Sequence, residues 1–155
     1  MNEDLVDALA QLSFAVQGAM TEIATEYDLS LVQVRMLGVL RDREPKMLEL
    51  ARHLGLDKSS VSGLVDRAER RSLLTRVASE DDRRSFRVVI TARGRELIDA
   101  MVERFAAQVE VMTGGLSPAE QRQLARSALQ IALADALRHG VDPRIGLLTR
   151  NAVRE

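Results

Sequence analysis

Lys58, Ser59, Ser60, Ser62 and Arg67 bring an ammonium group, three hydroxyls and a guanidinium into one short stretch, DKSSVSGLVDRAER. Groups of these kinds hydrogen-bond to phosphates and to the edges of bases. Their spacing places them together. Val61, Leu64, Val65 and Ala68 recur at i, i+3, i+4 and i+7, the mark of a helix with one buried stripe. The opposite face then holds Ser59, Ser62, Gly63, Asp66, Arg67 and Arg70, with Lys58 and Ser60 near its leading end. A glycine inside a helix costs about 1 kcal/mol relative to alanine, so a face of small residues suits close approach, as in a major groove. The same residues would be tolerated on a solvated face, and the helix alone leaves both readings open.

A second charged group follows. Thr75 to Ala78, TRVA, and Phe86 to Ile90, FRVVI, carry the β-branched and aromatic residues of paired strands, joined by Ser79 to Ser85, SEDDRRS. Arg83 and Arg84 fall at or just past the tip, where a guanidinium can enter a narrow minor groove. Glu80, Asp81 and Asp82 would repel phosphate if they faced it, so Asp81 is expected to brace an arginine through a charge-assisted hydrogen bond. An ordinary charged turn is the alternative, and the position just after a candidate recognition helix favours the wing.

The elements that must hold these groups are legible around them. Met47 to Leu54 reads as a short helix with Leu48, Ala51 and Leu54 on one face, and Gly55 permits the tight turn between crossed helices. Asp57 is placed to cap the next helix by accepting from the amide of Ser59 or Ser60. Leu73 and Leu74 close that helix before the hairpin. Helix, turn, helix and two-stranded hairpin in this order form a winged helix-turn-helix, so the fold class is mainly α with a small β-hairpin wing.

The flanking segments point to assembly. Leu5, Leu9, Leu12, Val16, Met20 and Ile23 alternate steps of three and four, which gives a narrow apolar seam. Leu97, Ile98, Met101, Val102, Phe105, Val109 and Met112 repeat that pattern. After Gly114 and Gly115, a last helix opens with Ser117 at the cap, Pro118 at its first position and Glu120 at its third. Leu124, Ala128 and Ile131 line one side of it, while Leu129, Leu133 and Leu137 line another. These terminal helices are expected to form a dimerisation layer, because a two-fold dimer presents two recognition helices about one DNA turn, near 34 Å, apart. An intramolecular bundle is the alternative. The final segment, with Gly140, Pro143 and Gly146, should not continue the helix, and its Ile145, Leu147 and Leu148 are expected to pack across a partner subunit.

Composition narrows the class. The 155 residues are one domain's length, and 46% hydrophobic content supports a single core. Neither an apolar run of membrane-spanning length nor a signal-peptide pattern is present, so a cytoplasmic, nucleoid-associated location is expected. The absence of cysteine excludes disulfides, thiolate zinc sites and thiol-based sensing. The net charge is only −1, but residues 1 to 40 hold one Arg against six acids, residues 41 to 95 hold 14 Lys and Arg against nine, and residues 96 to 155 hold seven Arg against eight. The positive excess falls on the helix-turn-helix and wing, where phosphate neutralisation needs it. Nothing in the sequence pairs His53 with His139, and no nucleophile motif, glycine-rich phosphate loop or metal-spaced cluster occurs. No enzyme, cofactor or metal is expected.

LARHLGLDKSSVSGLVDRAERRSLLTR, followed by DDRRSFRVVITARGREL, resembles the MarR family of bacterial transcriptional regulators. The likeness extends from the N-terminal helix through LSLVQVRMLGVL to the wing's Asp81 and Arg83 and to Thr91, Gly94 and Leu97. The resemblance implies a single domain over 1–155, with a DNA-binding lobe at 30–90 and dimerisation helices and tail at 1–27 and 92–155. It also implies a homodimer on a pseudo-palindromic operator in double-stranded DNA, usually as a repressor and often released by a small-molecule effector. The effector cleft would lie between the dimer helices and the lobe, where Phe14, Met20, Met36 and Phe105 could face it, although such residues also serve as plain core. Ser72 stands where the family usually has glycine, so a slightly different helix exit is expected. A winged-helix module that binds another protein without touching DNA is the alternative function.

Overall fold

A computed structural model describes residues 2–141. The elements run α1 (Glu3–Glu26), α2 (Leu31–Asp42), α3 (Met47–Leu54), α4 (Lys58–Arg70), β1 (Leu74–Ala78), β2 (Phe86–Ile90), α5 (Ala92–Met112) and α6 (Pro118–Arg138). The expected tail contact of Ile145, Leu147 and Leu148 lies outside the described residues.

Local signals account for the helix starts. Ser30 and Ser117 each close a capping box, with Gln33 and Glu120 as the returning side chains. Gly55 ends α3 in the left-handed region at φ 65°, which turns the chain into α4. The apolar stripe of α3 differs from the expected one. Leu50, Ala51 and Leu54 are buried, whereas Leu48 is 59% exposed. The spacing i, i+3, i+4, i+7 fits Met47, Leu50, Ala51 and Leu54, so Leu48 stands on the outer side of the helix.

The exit from α4 brings two further corrections. The helix ends at Arg70, and Leu74 is already the first residue of β1, so the leucine pair lies beyond the helix. Ser72 adopts φ 58°, the conformation a glycine would take there, so the exit keeps its path at the cost of backbone strain. Thr91 locks this corner by donating to the carbonyl of Ser72 at 2.6 Å and accepting from the amide of Gly94 at 3.0 Å. A Cβ on Gly94 would overlap the carbonyl oxygen of Leu73 and lie 2.9 Å from Cγ1 of Ile90, so only glycine lets α5 start this close to the hairpin.

The hairpin is antiparallel, pairing Leu74 with Ile90, Arg76 with Val88 and Ala78 with Phe86. Its inner edge is tied to the lobe by the amide of Val88, which donates to the carbonyl of Pro45 at 2.9 Å. Met36, Leu37, Leu40, Leu50, Leu73 and Val88 sit at the centre of the core, which joins α2, α3, α4 and the hairpin to the C-terminal end of α1 and the first half of α5. No helix among the described residues is long and apolar enough to cross a membrane.

The outer parts of the long helices have no such cover. Leu5 is 53% exposed, and Leu9, Leu12, Val109 and Met112 are also exposed, whereas Ile23, Ile98 and Met101 at the other ends of the two seams are buried. No residue of α6 is buried, and Ile131 and Leu137 are 55% and 68% exposed.

Candidate nucleic-acid interface

The start of α4 is organised by Asp57. Its Oδ1 accepts from the amide of Ser60 at 2.9 Å and from the Ser59 hydroxyl at 2.8 Å, while its Oδ2 accepts from the Ser60 hydroxyl at 2.7 Å. The amide of Ser60, then its hydroxyl, then that of Ser59 hold this carboxyl well below the usual carboxylate range. The cap expected of Asp57 is therefore present, with Ser60 as its amide partner. An ionised carboxylate only accepts, so both hydroxyl protons point at Asp57 and the serine lone pairs face outward.

Lys58, Ser59, Ser60 and Arg67 are exposed and Ser62 is half-buried, so all five lie on the side of α4 away from Val61, Leu64, Val65 and Ala68. Nη1 of Arg67 lies along the helix 3.5 Å from the point where a Cβ on residue 63 would sit, an ordinary contact that leaves room for a methyl group. Arg71 has turned inward, donating to the backbone oxygens of Asp28 at 2.7 Å and Tyr27 at 3.0 Å, which fixes the end of α4 to the end of α1.

The two acids in the second half of α4 are taken by a residue the sequence reading passed over. Arg76 on β1 pairs with Asp66 and Glu69, each at 2.5 Å. Burial opposes the charge on Arg76, yet its hydrogen bond to Asp66 and the charge and hydrogen bond of Glu69 outweigh that cost, and the guanidinium is held above its ordinary value. Two carboxylates three residues apart on one helix are a signal that a cation is wanted. Which cation supplies it depends on how the chain returns along β1.

The wing tip is a tight turn over 82–85, closed by the amide of Ser85 donating to the carbonyl of Asp82 at 2.9 Å. Arg83 and Arg84 occupy its two central positions and are exposed. The bracing of an arginine expected of Asp81 is not seen, and its neighbour holds the backbone of the turn instead. Asp82 Oδ1 accepts from the backbone amide of Arg84 at 2.9 Å, whereas Asp81 makes no hydrogen bond or ion pair with either arginine. An aspartate at the first position of a turn reaches the amide two residues on, and Asp82 alone has that position. Lys58, Arg67, Arg70, Arg83 and Arg84 have no ion pair among the described residues, while Arg41, Arg76, Arg87 and Arg104 are paired with Asp99, with Asp66 and Glu69, with Glu44 and with Glu26. Five unpaired cations thus stand on α4 and the wing, although Arg35, Lys46, Arg52 and Arg93 also lack an ion pair among the described residues.

Between α1, α2 and α5, Met20, Ile23, Val34, Ile98, Met101, Val102 and Phe105 line a partly open apolar cavity of about 10 Å³, room for roughly one water. Met20 and Phe105 were expected near such a space. Met36 is instead fully buried core and Phe14 is 67% exposed, so neither lines it. Among the described residues no group of His, Cys, Asp and Glu is arranged to hold a metal ion.

Residues 27–85 match the model of the MarR family. The chain is 30% identical over 105 residues to the HTH-type transcriptional regulator YfiV of Bacillus subtilis, a match that covers 67% of this chain and 65% of that protein. It is 27% identical over 144 residues to the HTH-type transcriptional regulator PecS of Dickeya dadantii, covering 90% of this chain and 84% of PecS. Among solved structures, CouR from Rhodococcus jostii bound to p-coumaroyl-CoA superposes with a TM-score of 0.69 at 25% identity, covering 83% of this chain and 92% of CouR.

Proposed function

The chain belongs to the MarR family of transcriptional regulators, and on that premise we propose that it binds a pseudo-palindromic operator as a homodimer and represses transcription from it. The observation that carries this reading is the distribution of unpaired cations. Five of them, Lys58, Arg67, Arg70, Arg83 and Arg84, stand on α4 and on the wing tip, the two elements that a winged helix-turn-helix lays against a duplex.

In this reading residues 30–90 form the DNA-binding lobe, and 1–27 with 92–155 form the dimerisation part. Lys58, Ser59, Ser60, Ser62 and Arg67 face the major groove or its phosphates, and Arg83 and Arg84 reach the minor groove. Ser59 and Ser60 present lone pairs, so they meet donors such as the amino groups of adenine or cytosine, whereas the cations meet phosphate. An effector between α1, α2 and α5 would need these helices to part, since the space there holds roughly one water. CouR was solved with p-coumaroyl-CoA bound, and an effector here would have to widen that cavity and favour a lobe spacing that does not fit DNA.

The test is to incubate the purified protein with fragmented genomic DNA of its source organism at near-physiological salt and to sequence what is retained. Enrichment of one inverted repeat with half-sites about one turn apart is the expected result. Failure to enrich any sequence, together with salt-insensitive retention, would favour a protein partner instead.

A further inference from the structure

Asp66 stands on the exposed side of α4, one residue before Arg67 and four before Arg70. An unpaired carboxylate there would repel phosphate and draw Arg70 into an i, i+4 pair. Neither is found. Arg76 reaches over from β1 with Nη2 2.5 Å from Asp66 Oδ1 and Nη1 2.5 Å from Glu69 Oε2, and its own amide donates to Glu69 Oε1 at 3.1 Å. One planar guanidinium, whose two nitrogens point in different directions, thereby occupies both carboxylates. Its side chain is only 23% exposed, against 48% for Asp66 and 38% for Glu69, so the cation is the shielded member of the cluster.

We propose that Arg76 is a positioning residue of the DNA interface: by holding Asp66 and Glu69 against β1 it keeps Arg70 free for phosphate and fixes the hairpin carrying Arg83 and Arg84 to the recognition helix. The inference rests on the DNA-binding reading of α4 and assigns a role in it to a residue that need not touch DNA. Losing Arg76 leaves Asp66 one helical turn from Arg70, which turns to that acid and away from phosphate.

The experiment uses the full chain and a mixed-sequence duplex of about 40 bp, long enough for two half-sites a turn apart, titrated between about 50 and 200 mM salt. Arg76→Ala is expected to weaken binding by about tenfold or more and to make the plot of log affinity against log salt shallower by about one to two, the mark of lost phosphate contacts. Adding Asp66→Asn and Glu69→Gln to that variant is expected to restore affinity to within about threefold of wild type, since no acid remains to capture Arg70. If Arg76→Ala does not fold, Arg76→Lys replaces it, because lysine keeps the charge but lacks the fork, and the shallower slope is again expected. A weakened variant whose slope is unchanged, or which neutralising the two acids does not rescue, would show Arg76 to be structural only and overturn the inference. A wild-type protein that ignores the duplex at every salt concentration would overturn the DNA reading and this inference together, and the wild-type titration alone tells the two failures apart.

Discussion

Arg83 and Arg84 have their backbones held by the turn at Asp82 and their side chains in solvent, so their loss removes charge without removing packing. Arg83→Ala is expected to weaken duplex binding by about tenfold and to flatten its salt dependence by about one, while shifting Tm by no more than about 1 °C. Fluorescence anisotropy and thermal denaturation on the same preparation would check both halves, and a large fall in Tm with intact binding would refute the wing role. Ser72 carries the opposite kind of strain, backbone without function. Its φ of 58° disfavours a residue with a Cβ, so Ser72→Gly should raise stability by about 0.5–1 kcal/mol in urea denaturation while leaving DNA affinity unchanged. For Asp57 the sign follows from its lowered pKa. The folded state binds a proton on this group less readily than the unfolded state does, so its stabilisation is complete above the ordinary aspartate pKa near 4 and fades as the pH falls below it. Comparing wild type with Asp57→Asn across pH 5 to about 2.5 should show a steeper loss of stability in the wild type.

At the scale of elements, the approach of α5 to the hairpin leaves no room for a side chain at Gly94. Gly94→Ala would force a methyl group into the carbonyl of Leu73, which belongs to the strained corner held by Thr91. A cost of about 3 kcal/mol is expected, because backbone rather than a flexible side chain must give way. Denaturant midpoints would measure it, and a loss below about 0.5 kcal/mol would show that the corner adapts. The register of such junctions escapes periodicity. β-Branched and aromatic residues identified the hairpin strands and the apolar stripe identified α4, but Leu48 against Leu50 on α3 was decided by which side of an eight-residue helix meets α4, α2 and β2. A short helix with leucines at positions 48, 50 and 54 offers two overlapping stripes, and the one through Met47, Leu50, Ala51 and Leu54 is the one its neighbours cover.

At the scale of the whole molecule, the exposed apolar seams are the main unsatisfied feature. Leu5, Leu9 and Leu12 on α1, and Ile131 and Leu137 on α6, leave apolar side chains in water that a second subunit would cover. Replacing Leu9 and Leu12 by glutamate is expected to shift the protein toward monomer in sedimentation equilibrium while the lobe stays folded, since neither side chain belongs to its core. DNA affinity should then fall steeply, because a monomer engages one half-site where a dimer engages two. Dimeric protein after both substitutions would place the interface elsewhere.

The succession of helices and strands, the face of α4 that carries Lys58, Ser59, Ser60, Ser62 and Arg67, and the arginine-tipped wing were all determined by the sequence, because helical and strand periods, caps and turn residues act over a few neighbouring positions. Which aspartate holds the wing turn, which cation takes Asp66 and Glu69, and which leucine of α3 is buried were decided only by tertiary structure. Each of these depends on where a distant segment returns to the chain. Arg76 is ten residues from Asp66, and the folding of β1 back along α4 is what brings its guanidinium within hydrogen-bonding distance. Local chemistry fixed what each group could bind, and packing chose its partner.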